Sequence, residues 1–289
     1  LLDLSIEKSR KVIEEYSDSK YVDDAFYLIG KSSFKKGDYQ YAEKHFRQLL
    51  NEYPQSKFYS LSEIWLSYTH LRMGMMDKAL NEIESIQANS PKGGEKLYLI
   101  HNILAEIAME EGNIDNIYFN YEKAAEHAPS KSKKISIYGK LVLYAEKEDN
   151  KSKASEYLVS LGDVAPEKIR IDARMKWITY QRELGNYDEI ISEIHRMLGM
   201  SEFTSEYMQL ELELGKVYKG SGEIELAKEI FGMLVEKYSK KDETAEAYYQ
   251  LGSMTLMENF NLDLAREYLE SSKSEKSSSF YGRESKELL

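Results

Sequence analysis

The sequence predicts an all-α fold made of helix hairpins stacked one after another, and three observations predict it. Apolar residues recur at three- and four-residue spacing along most of the chain, the period of a single helix face. Gly37, Gly74, Gly112, Gly185 and Gly222 interrupt those runs at multiples of about 37 residues. All four prolines, Pro54, Pro91, Pro129 and Pro166, fall at one phase of the same period, where a second helix has to stop. Alternating β-branched runs are absent, so no sheet is expected.

The stretch from Tyr21 to Pro54, YVDDAFYLIGKSSFKKGDYQYAEKHFRQLLNEYP, is the clearest unit. Gly30 and Ala42 are small residues on facing helices and let the two backbones approach closely. Phe26, Ile29, Phe46 and Leu49 fill the space beside them. Gly37 can adopt the left-handed conformation that ends the first helix, and Asp38 can cap the second. One hairpin cannot bury both apolar faces, so its neighbours must stack on it.

Taken in order, residues 1–16 read as a lone second helix, because KSRKVIEEYSDSKY (8–21) parallels HFRQLLNEYPQSKF (45–58). Hairpins follow at 22–54, 60–91, 98–129, 135–166, 171–202, 208–239 and 245–273, and 278–289 starts a further unit. The fifth is irregular: Ile190 stands where a small residue is expected, and no proline closes it. The seventh has an extra residue in its inner turn, ENFNLDLA. No linker interrupts the series, so 1–289 is expected to be one solenoid.

The landmarks of the unit resemble the tetratricopeptide repeat, most fully at 26–54 and in part along nearly the whole chain. The usual repeat is about 34 residues. Three or so extra residues per unit would lengthen the helices by roughly 4–5 Å. The stretches EEYSDSKYVDDAFYLIG (14–30) and NEYPQSKFYSLSEIWLS (51–67) resemble the longer-period repeats of bacterial envelope proteins, the BamD-type outer-membrane assembly lipoproteins and periplasmic cell-division coordinators. Seven hairpins exceed the BamD plan, so only the repeat type carries over. The resemblance implies a right-handed superhelical solenoid acting as a non-catalytic protein-binding scaffold. It implies a periplasmic or outer-membrane-anchored setting, with a cytosolic adaptor, or the repeat portion of a larger protein, as the alternative. The chain opens LLDLSIEKS without an initiator methionine and ends mid-pattern at YGRESKELL, so both ends are expected to be cut.

Composition narrows the chemistry. A net charge of -11 disfavours non-specific nucleic-acid binding. With no cysteine there is neither a disulfide framework nor a thiolate metal site. No apolar run reaches the roughly 18 residues of a membrane span, so direct membrane insertion is not expected. His45, His70, His101, His127 and His195 are scattered without metal-ligand spacing. GKVYKGSGE (215–223) lacks the order of a phosphate loop, and its Gly222 belongs to an inter-helix turn. The 50 acidic residues single out no acid–base pair. No catalytic, cofactor-binding or metal-binding residue is therefore expected.

What remains is apolar surface that the hairpin core does not use. In the repeat type resembled, first helices line the concave face, and repeat phase carries the inward positions over to Tyr27, Lys31, Phe34, Ile64, Tyr68 and Leu71, with Arg72 beside them. Aromatic and aliphatic residues there form a candidate groove for a protein or peptide segment. Tyr27 and Tyr68 are the expected open anchors, and Lys31, Lys35 and Arg72 favour a partner with acidic flanks. In later units the same positions turn polar, among them Asn102 and Glu106.

Overall fold

The computed structural model describes residues 1–89, 93–259 and 261–289. These form a helix α1 (Leu2–Glu15), seven helix pairs and a closing helix. The pairs are α2 (Val22–Lys36) with α3 (Tyr39–Glu52), α4 (Tyr59–Arg72) with α5 (Met76–Ala88), α6 (Gly94–Glu111) with α7 (Ile114–Glu126) and α8 (Lys131–Lys147) with α9 (Lys151–Val164). They continue with α10 (Glu167–Leu184) and α11 (Tyr187–Leu198), α12 (Tyr207–Ser221) and α13 (Ile224–Lys237), then α14 (Asp242–Asn259) and α15 (Leu262–Glu275). Helix α16 (Phe280–Leu288) closes the chain, and no strand occurs among the described residues. Pro91, expected to close the second hairpin, and Phe260 of the seventh turn lie outside the described residues.

The inter-helix turn repeats in detail. Gly37, Gly74, Gly112, Asp149, Gly185 and Gly222 all have positive φ, between 52° and 90°. In each case the N–H of the following residue donates to the carbonyl five residues back, from Asp38 to Ser33 at 3.0 Å through Glu223 to Tyr218 at 2.9 Å. This bond uses a carbonyl that the end of a helix would otherwise leave unpaired. Asp149 adopts the conformation without being glycine, at some conformational cost. The side chains of Asp38, Asn113, Asn150 and Asn261 then accept from the backbone N–H three residues on, capping the second helices.

Second helices present one stripe to the core. Ala42, Phe46 and Leu49 are buried, and the same spacing of four and then three returns at Ala79/Ile83, Ile117/Tyr121/Ala124, Ala154/Leu158/Leu161, Ile190/Ile194/Met197, Ala227/Phe231/Leu234 and Ala265/Leu269/Ser272. Small residues on the first helices receive the large ones. A Cβ on Gly30 would lie 2.6 Å from the Phe46 ring, and one on Gly215 would lie 2.5 Å from Phe231. In the fifth hairpin Ile190 is buried like the small residues it replaces, and a 3₁₀ helix at Ser201–Glu206 with buried Phe203 follows where others have proline. Helices α6, α8 and α10 begin about four residues before the apolar pattern does. Their first turns are polar, so hydrophobic periodicity does not register them.

Packing divides the chain into two compact units, Leu1–Leu141 and Val142–Leu289, with the division inside α8. In the first, α1 packs on α2, α3 on α4 and α5 on α6, while the first helices α2, α4 and α6 touch in succession. In the second, α9 packs on α10, α11 on α12, α13 on α14 and α15 on α16, while α10, α12, α14 and α16 touch in succession.

Candidate protein-binding face

In the first unit, α2, α4, α6 and the N-terminal part of α8 present one inner face. Lys31 reaches from α2 across α4 to α6: its Nζ lies 3.7 Å from Glu95 Oε1, 5.6 Å from the Trp65 ring centre and 5.4 Å from that of Tyr27. Beside it, Phe34 packs on Trp65 and Tyr68 with ring centres 5.0 and 4.7 Å apart. Trp65 is buried, whereas Phe34 and Tyr68 are only half-buried and leave an aromatic shelf open.

The shelf ends in a polar hub at Glu106 of α6. The Tyr68 hydroxyl donates to Glu106 Oε1 at 2.7 Å, and Asn102 Nδ2 and Lys140 Nζ approach the same oxygen at 3.2 Å. Arg72 Nη1 lies 3.9 Å from Oε2, and Lys140 Nζ also donates to Asn102 Oδ1 at 3.0 Å. One carboxylate therefore ties α4, α6 and α8 together. Burial, reinforced by the Glu106 charge, holds the Tyr68 hydroxyl well above the usual tyrosine range.

The structure redistributes the sequence-predicted set. Tyr27 is 4% exposed and stacks on Phe58 with ring centres 4.4 Å apart, and Ile64 is fully buried. Neither is an open anchor. The joint between the first two hairpins returns Phe58 over α2, and this covers Tyr27. Burial, with Glu95 nearby, pushes the Tyr27 hydroxyl up to about 12. Leu71 is half-buried, and Arg72 is half-exposed with its Nε 3.4 Å from the Tyr39 hydroxyl. Lys31, Phe34, Tyr68 and Arg72 do come together, through Trp65 and Glu106.

Sequence reasoning missed Lys133 and Lys140 on α8, and it took Asn102 and Glu106 as merely polar. The signal was present: Lys133 and Lys140 are seven residues apart in KSKKISIYGK, on one helix face. Partial desolvation beside the Tyr98 ring, 5.9 Å away, lowers the Lys133 ammonium, as do the charges of Lys35, Lys31 and Lys140. Geometrically, Lys133 lies against Tyr98 of α6, and Lys140 meets Arg72 at Glu106. A second polar centre joins α4 to the second helices α3 and α5, where buried His70 has Nδ1 2.7 Å from Glu82 Oε2 and Nε2 3.2 Å from Glu43 Oε1.

The inner face of the second unit contrasts with this. Lys176 pairs with Glu146 at 2.6 Å, and Arg182 lies 3.4 Å from Glu213. Lys216 bridges Glu213 and Glu246 at 3.0 and 2.7 Å. Beyond these, burial and then Glu246 raise the Tyr281 hydroxyl well above its ordinary range. No helix among the described residues is long and apolar enough to cross a membrane.

Residues 24–56, the first hairpin, match the tetratricopeptide repeat family. The chain is similar to a tetratricopeptide repeat protein from Parabacteroides merdae, at 16% identity over 92% of this chain and 97% of that one, with TM-score 0.41. It is similar to the C-terminal part of a repeat-containing protein from Cytophaga hutchinsonii, at 16% identity over 89% and 97%, with TM-score 0.48. It is also similar to PilF of Pseudomonas aeruginosa, at 13% identity over 92% and 97%, with TM-score 0.39. No curated protein matches the chain.

Proposed function

We propose that this chain is a non-catalytic protein-interaction scaffold that docks an extended or helical segment of a partner protein on the inner face of its first unit. The observation that carries the reading is the half-open shelf of Phe34 and Tyr68 packed on buried Trp65. Aromatic side chains already fixed by packing lose little entropy when a partner covers them, which favours them as anchors. Lys31, Leu71 and Arg72 rim the shelf. Tyr27 and Ile64, being buried, make no contact with the partner. The setting we favour is a bacterial envelope assembly, on the resemblance of 14–30 and 51–67 to longer-period envelope repeats.

The test is affinity capture with the intact chain and with a Phe34→Ala/Tyr68→Ala variant, with partners identified by mass spectrometry. Envelope proteins captured by the parent and lost with the variant are the expected result. Partners retained by the variant overturn the shelf as docking site, and exclusively cytosolic partners overturn the envelope setting.

A further inference from the structure

We propose that the segment docked on this face is acidic, and that its carboxylates are taken by Lys31, Lys35, Lys133 and Lys140 beside the aromatic shelf. This rests on the docking reading above and adds the chemistry of the partner.

The charge balance of the face motivates it. Five cations, Lys31, Lys35, Arg72, Lys133 and Lys140, meet two carboxylates, Glu95 and Glu106. Lys35 and Lys133 are exposed, and among the described residues neither has a carboxylate at ion-pair distance. Lys31 holds Glu95 only loosely, at 3.7 Å, and Lys140 shares Glu106 with Tyr68, Asn102 and Arg72. A protein of net charge -11 thus gathers unneutralised cations beside its open aromatic shelf. These cations repel one another, and an incoming carboxylate relieves that repulsion.

The rings argue for protein over nucleic acid. Phe34, Trp65 and Tyr68 pack against each other and offer edges and partial faces, where base stacking needs free faces. Glu106 is already the kind of group this face binds: a carboxylate receiving a tyrosine hydroxyl, an amide and two cations. It acts as an internal stand-in for the partner's acids and competes with them for Lys140 and Arg72.

The experiment is fluorescence anisotropy on the intact chain. One probe is a labelled synthetic peptide with a phenylalanine and a leucine four residues apart, followed by four glutamates. The others are its glutamine counterpart and an oligouridylate. The glutamate peptide should bind about tenfold tighter than the glutamine peptide at low salt, with the gap closing as ionic strength rises. Lys35→Ala/Lys133→Ala, at exposed positions, should narrow that gap to about threefold, since Lys31 and Lys140 remain. Glu106→Gln should tighten the glutamate peptide a few fold, because the internal competitor loses its charge. Lys44→Ala, on the outer helix α3, should change nothing. Equal binding of both peptides, lost together in Phe34→Ala/Tyr68→Ala, overturns the acidic partner and leaves the docking reading standing. Glutamate-specific binding that survives Phe34→Ala/Tyr68→Ala overturns the docking reading itself. Failure of both peptides to bind overturns both, and tighter binding of oligouridylate through the same lysines replaces the acidic protein with RNA.

Discussion

In the second unit three carboxylates on the inner helices, Glu146, Glu213 and Glu246, face Lys176, Arg182 and Lys216, each pair joining one helix to the next, while Lys219 reaches Gln250 at 2.7 Å. In the first unit Lys31, Arg72 and Lys140 share the two carboxylates Glu95 and Glu106, exposed Lys35 and Lys133 have no carboxylate at ion-pair distance among the described residues, and a half-open aromatic shelf takes the place of the ladder. Both units share the hairpin, the turn and the core stripe, so the difference does not arise from the fold. A face whose charges are neutralised internally has little left for a partner. A face with surplus charge beside unfinished apolar packing can still gain by binding one.

The largest test of this comparison concerns the independence of the two units. Gly30→Leu in the first and Gly215→Leu in the second each drive a side chain into a ring already in contact with the backbone, and each should cost about 3 kcal/mol or more. Hydrogen exchange should show loosening confined to the mutated hairpin and one or two neighbours. Uniform loosening over every hairpin would contradict that locality. The next test separates structural charges from available ones. Glu246→Ala leaves Lys216 poorly paired in a mostly buried setting and should cost roughly 2–3 kcal/mol in denaturant unfolding. Lys133→Ala, at an exposed and unpaired position, should stay within about 0.5 kcal/mol. Equal losses would erase the distinction between the two faces.

Binding gives the third test. Removing Phe34 and Tyr68 together should weaken a bound segment by about 2 kcal/mol, measured by titration calorimetry, whereas Tyr180→Ala in the second unit should leave binding unchanged. The finest distinction is in alkaline pH. Tyr27, Tyr68 and Tyr121 of the first unit have hydroxyls raised by burial first and by nearby Glu95 or Glu106 second, and in the second unit burial and then Glu246 raise that of Tyr281. Such groups hold their protons when folded and release them when unfolded. Their stabilisation is complete below the ordinary tyrosine pKa of about 10 and falls as pH rises toward the folded values. Above about pH 10 the hairpins that bury Tyr27, Tyr68 and Tyr121 should therefore loosen in hydrogen exchange, and Tyr68→Phe should lessen the loosening around α4.

Much of this was legible in the chain, for physical reasons that also explain what was not. Gly37 with Asp38, and Ala42, Phe46 and Leu49, act within one hairpin, so local spacing reveals them. The turn at Asp149 carries no glycine and is legible through the charge run KEDNKSK (147–153) and its place in the hairpin at 135–166; backbone geometry, not glycine, is what repeats there. Tyr27 and Phe34 lie seven residues apart on the same helix, yet one is buried and the other half-open. What separates them is Phe58, from the following hairpin, and periodicity within one helix does not report on a ring arriving from outside. Lys133 was missed for the same reason: its place against Tyr98 of α6 depends on how successive hairpins stack.

The regular turn at 37, 74, 112, 149, 185 and 222 has a consequence for how the chain comes to be folded. Each hairpin closes on contacts between residues a few tens of positions apart, and each new helix lands on one completed just before it. Low sequence separation keeps the entropy lost on loop closure small and makes folding fast. During synthesis a hairpin can form once its second helix has emerged, with its predecessor already waiting as a template. The aromatic shelf is then assembled by α2 and α4 before α8, with the lysines that complete the face, has been made.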